Sequence, residues 1–101
     1  MICFTVKKQF VGNTNSSGVI TFTAGANETF VTFTENDYTL SVMTAGGGSA
    51  VAGDVIALTS KTSGEGTNAL TITDNTLLGN NAKVKLTASV LRTSVPVKTK
   101  T

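Results

Sequence analysis

Apolar residues recur at every second position through almost the whole chain. Ile2, Phe4 and Val6 alternate with Cys3, Thr5 and Lys7. Ile20 and Phe22 share one side of the run 19–23, and Tyr38, Leu40 and Val42 alternate with Thr39, Ser41 and Met43. Leu70 and Ile72 alternate with Thr71 and Thr73. The longest run is 83–93, where Val84, Leu86, Ala88 and Val90 face one way and Lys83, Lys85, Thr87 and Ser89 the other. Successive side chains of an extended backbone point to opposite faces, so a period of two means strands. One apolar face and one polar face mean antiparallel strands packed on one side only. The 19 Thr residues suit such strands: the branched Cβ fits the pleat and the hydroxyl faces water.

Turn residues separate the runs. They gather at 12–18, 25–27, 35–37, 45–49, 63–68, 74–75 and 79–81, where Gly, Asn, Asp and Ser cluster. Gly and Asn accept positive φ, and Asn and Asp side chains bond to nearby backbone. The spacing predicts seven or eight strands, near 2–11, 19–23, 29–34, 38–45, 52–59, 69–73, 82–93 and 95–98. That is the rhythm of an all-β antiparallel β-sandwich, immunoglobulin-like in general architecture. No window carries a helical stripe, and Thr76-Leu77-Leu78 is the best candidate for a single helical turn. The expected core is Phe4, Phe22, Leu40, Val42, Ile56, Leu70, Ile72, Val84, Leu86 and Val90. Phe33 also falls in step with apolar neighbours, while Phe10 and Phe30 are less clearly placed. The chain reads as a single module spanning 1–101, or as a piece of a longer chain of tandem modules. A chain of this length buries enough surface to need no staple.

Little in the sequence carries chemistry. There is no His, so a Ser-His-Asp triad, a Cys-His pair and an imidazole metal site are all excluded. The single Cys3 excludes an internal disulfide, and its place within a strand reads as structural. No Ser stands three residues before a Lys, the spacing of the common Ser-Lys dyad. The six acids are Glu28, Glu35, Asp37, Asp54, Glu65 and Asp74, all in or beside expected turns. Turn capping and solvation account for them better than a carboxylate pair or a calcium loop. Gly46-Gly47-Gly48 lacks a following helix and Lys, so it reads as a flexible hairpin loop and not as a phosphate cradle. The sequons Asn15-Ser16-Ser17 and Asn27-Glu28-Thr29 are what a chain rich in Thr and Ser produces by chance. The chain is therefore expected not to be an enzyme, with no catalytic residues, no cofactor and no metal.

Partner classes narrow in the same way. A net charge of +2 with no Trp and one Tyr gives neither a nucleic-acid surface nor an obvious sugar platform. No stretch approaches a membrane span. Charge is nevertheless uneven along the chain. Residues 1–27 carry +2, residues 28–74 carry −5 and residues 75–101 carry +5. Neighbouring strands could balance these charges within one sandwich, or a basic end could meet an acidic region of another copy. Edge strands invite pairing unless charge, Pro or a bulge blunts them. Pro96 and the Lys98-Thr99-Lys100 ending look like blunting; the first strand carries only Lys7 and Lys8, and its first half is apolar. That strand, or the chain ends, is expected to lie against another copy in a homo-oligomer.

The stretch 82–101, AKVKLTASVLRTSVPVKTKT, joins a long Val/Thr strand to a Lys-x-Lys ending. With Tyr38-Thr39-Leu40-Ser41-Val42, a Gly loop, Ala52-Gly53-Asp54-Val55-Ile56 and Leu70-Thr71-Ile72-Thr73, it resembles β-modules of large virion structural proteins. Those belong to contractile-tailed phages of marine cyanobacteria and their environmental relatives. The resemblance covers roughly residues 28–101 and is a pattern of strands and turns. It implies a structural role in a virion, made in the host cytoplasm, with other copies or sister modules as partners. The competing expectation is an adhesion module that binds a host-surface glycan through loops 44–50 and 63–68.

Overall fold

The structure, a computed structural model, describes residues 2–32, 34 and 36–94. Among them it is all-β, with no helix and eight strands in two antiparallel sheets, the expected sandwich. The strands are β1 (Ile2–Asn13), β2 (Val19–Thr23), β3 (Glu28–Phe30), β4 (Tyr38–Thr44), β5 (Val55–Ile56), β6 (Thr62–Ser63), β7 (Ala69–Thr73) and β8 (Lys83–Ser94). The expected strand at 95–98 and the expected core position Phe33 lie outside the described residues.

β8 organises the larger sheet, whose order is β1-β8-β4-β5 with β3 also on β8. One side of β8 pairs with β1 in unbroken register, from Ile2 opposite Ser94 to Asn13 opposite Lys83. The other side takes β4 at 83–88 and β3 at 90–92. β3 and β4 thus follow one line along β8, parted only at Ser89. There the Val31 N–H donates to the Ser89 carbonyl and the Ser89 N–H donates to that of Asp37. The smaller sheet has the order β2-β7-β6. On its outer face the Thr21 and Thr71 hydroxyls, opposite each other in register, bond at 2.8 Å.

The core lies between the sheets. Nine of the ten expected core residues are buried: Phe22, Leu40, Val42, Ile56, Leu70, Ile72, Val84, Leu86 and Val90. Phe4 is the correction, at 40% exposed. Its face is the expected one, shared with Val6 and Phe10, but its ring is met by the Arg92 guanidinium at 5.7 Å and not by the packed core. Phe30 is fully buried and Phe10 half-buried, and Phe10 stacks obliquely on Phe22 and Phe30 at 5.9 and 5.5 Å. Ser89, expected in solvent, is 2% exposed, its backbone bonded to Val31 and Asp37 and its hydroxyl to the Asp37 carboxylate.

Other departures trace to turns. The strand expected at 52–59 shrinks to Val55–Ile56, bounded by Gly53 at φ 95° and Ser60 at φ 68°. β6 was not among the expected strands; two residues are too few to show a period. Thr76-Leu77-Leu78 does form one helical turn, closed by Leu78 N–H to the Asp74 carbonyl, and goes no further. Gly46-Gly47-Gly48 was expected as a flexible loop, but the segment 47–50 is docked. Its four N–H groups donate to the carbonyls of Asn80, Leu78, Thr76 and Leu77. A Cβ on Gly48 would lie 2.2 Å from the Leu77 carbonyl oxygen, so the glycine serves close backbone approach.

Candidate functional site

The most elaborate polar cluster is built on the inner face of the larger sheet. Lys8 and Arg92 fall on the even-numbered, apolar-facing positions of β1 and β8, and Glu28 opens β3 opposite Arg92. Glu28 is 5% exposed. Its Oε1 accepts from Lys8 Nζ at 2.8 Å and from the Gly25 N–H at 2.9 Å. Its Oε2 accepts from Arg92 Nε at 2.8 Å and Nη2 at 2.6 Å. A buried carboxylate is tolerated only with such partners. The Lys8 bond, then those from Gly25 and Arg92, holds the Glu28 carboxyl down at about 2. All its oxygens are engaged, so the triad closes one end of the sandwich and has no free base to offer. Arg92 also lies 5.7 Å from the ring centre of Phe4, and Lys8 the same distance from Phe10.

The sequence did signal this cluster. Lys8 interrupts Phe4, Val6 and Phe10, and Arg92 continues Val84, Leu86, Ala88 and Val90. A charge on the apolar face of a strand calls for a buried partner. The triad also shows that part of the charge asymmetry is balanced inside one molecule, since an acid of the middle segment meets a base from each end.

Among the described residues, Asp74, Asp54 and Asp37 sit in separate turns. Asp74 is buried; its Oδ1 caps the Leu77 N–H at 2.9 Å and its Oδ2 pairs with Lys61 at 2.5 Å. Asp54 closes its own turn on the Val51 N–H at 2.9 Å. Asp37 is held below the usual carboxylate range by the Thr34 hydroxyl and then that of Ser89. Among the described residues no group of His, Cys, Asp or Glu is placed to hold a metal ion. Glu35 lies outside the described residues.

Tyr38, the one candidate sugar platform, is 5% exposed and its hydroxyl donates to the Val31 carbonyl. Burial, then the nearby charges of Glu65 and Asp37, pushes it up to about 12. The ring is thus buried and presents no face to stack on.

What the sandwich does leave open is β1. Among the described residues it pairs with β8 alone, over its full twelve residues. No bulge interrupts it and no Pro lies within it. Cys3 and Val11 are exposed on its outer face and Phe4 on its inner one, with Leu91 exposed beside Thr5. Lys7 leans across β8 to the Asn36 carbonyl at 3.0 Å and Lys8 is folded onto Glu28. No helix among the described residues is long and apolar enough to cross a membrane. Compared with known protein families, curated proteins and solved structures, the chain matches none.

Proposed function

We propose that this chain is a non-enzymatic structural module of a phage virion, of tail or baseplate type, that works through contacts with other copies or sister modules. The observation that carries the reading is the long, unblunted edge of β1. Such an edge is an obligation to pair or a liability to aggregate, and in a repetitive particle weak contacts suffice because linked sites raise effective concentration. The virion setting rests on the resemblance of residues 28–101. The Glu28 triad fits the same reading, since it braces β1, β3 and β8 beside the open edge.

The test is light scattering from micromolar to millimolar protein, in low and in high salt. Concentration-dependent oligomers are expected; a strict monomer throughout would count against assembly. A second reading, a host-surface or glycan-binding module, draws on Asp37 and Glu65 lying near Tyr38. Its check is binding to host-surface polysaccharides, abolished by Glu65→Gln.

A further inference from the structure

We infer that the N-terminal half of β1 is a homodimer seam, in which two copies pair antiparallel about a two-fold axis at Thr5 and join their larger sheets into one. The inference rests on the assembly reading above and specifies its surface, partner and register.

The occupant is a second copy because of what the edge carries. Residues 2–6, ICFTV, hold no charge and no Pro and are rich in strand formers. The nearest charges on β1 itself are Lys7 and Lys8, both positive, which act on register. A two-fold axis at Lys7 or Lys8 would set like charges directly opposite, which is destabilising. An axis at Val6 would leave the two Lys7 side chains two residues apart along the seam, about 7 Å, within a Debye length of roughly 8 Å. An axis at Thr5 separates them by four residues, about 13 Å, beyond that length. Moving the axis further toward the N-terminus would only shorten the ladder. At Thr5 the described pairs are Ile2 with Lys8, Cys3 with Lys7, Phe4 with Val6, and Thr5 with itself.

Clearance agrees with this register. Even residues meet even residues, so the two inner faces stay on one side. The smaller sheet packs near the other half of β1, where Phe10 touches Phe22 and a Cβ on Gly12 would meet Ile20. In an antiparallel pair centred on Thr5 the two smaller sheets therefore fall at opposite ends of the seam. An axis at Gln9 or Phe10 would bring them together. Phe4, 40% exposed within one copy, gains Val6 of the other as its cross-strand neighbour.

The experiment removes the native thiol and places one cysteine at a time on the outer face of β1. Cys3→Ser is combined with Thr5→Cys, Lys7→Cys or Gln9→Cys, and the proteins are oxidised gently at concentrations where light scattering reports oligomers. Position 5 should crosslink at least about tenfold faster than position 9, because a disulfide needs Cα atoms within roughly 7 Å. Thr5→Lys should raise the dimer dissociation constant by about tenfold or more while leaving the urea unfolding of the monomer nearly unchanged. If oligomers form but crosslink no faster at position 5 than at 9, or survive Thr5→Lys, the seam is wrong and the assembly reading stands. A strict monomer overturns both.

Discussion

At the scale of single residues, stability concentrates at two kinds of position. Leu86 is fully buried and lies opposite both Phe10 and Leu40 in register. Leu86→Ala is expected to lower the unfolding free energy by about 2–5 kcal/mol, read by urea denaturation. A loss under about 0.5 kcal/mol would contradict its burial. Glu28 makes the other kind. Its folded pKa, about 2, lies below the ordinary carboxyl value of 4.5, so folding favours the carboxylate. That contribution is complete above about pH 4.5 and is lost as pH falls towards 2. Glu28→Gln should therefore unfold at lower urea at neutral pH and lack the decline the parent shows between those values. Its deficit should shrink as pH approaches 2; a constant deficit across that range would refute the linkage. Alternation identified Leu86 directly. It left Lys8 and Arg92 without a role, because their shared partner lies 20 and 64 residues away in sequence.

At the scale of elements, legibility in the sequence followed length. β8 carries enough repeats of apolar and polar residues to declare both faces, and β1, β2, β4 and β7 were located nearly to their ends. β5 and β6, two residues each, are held by what surrounds them and left no pattern. Phe4 shows a different limit: period two assigns a face, but what packs against it is decided elsewhere in the chain. Ser89 shows the converse, an outward position engaged by Val31 and Asp37, contacts the pattern could not place. The docked segment 47–50 yields a sharp test. Gly48→Ala should cost on the order of 1–3 kcal/mol through overpacking against the backbone of Leu77. Ser49→Ala, at an exposed neighbour, should stay within about 0.5 kcal/mol. Equal, small effects on urea midpoints would mean the segment is not docked.

For the whole molecule, the expectation that the chain is not an enzyme becomes a measurable outcome. Screens with generic ester, phosphate and glycoside substrates should give turnover no greater than buffer. Activity lost on converting Glu28, Asp37, Asp54, Glu65 or Asp74 to its amide would refute this. Association has its own signature. Glu28 and Asp74 are neutralised within the fold, so backbone pairing and apolar contact are left as the main terms between copies. Oligomers should persist at high salt, with only the steered part of association slowed. The fold class was legible because it depends on patterning repeated along the chain. Which edge stays open was less so, since that depends on the order in which strands meet.

The register of β1 on β8 also decides how the module responds to force. Ile2 and Ser94 are neighbours, so tension applied at those two positions pulls the strands apart from one end. Ladder hydrogen bonds run perpendicular to antiparallel strands, and such a load breaks them one pair at a time, as a zip opens, with no sharing along the ribbon. Strung into a longer chain, modules of this kind would hang from the line as pendants. They would yield early under a steady pull, beginning at the Ile2–Ser94 pair and meeting their first firm resistance at Arg92, which with Lys8 and Glu28 ties three strands together.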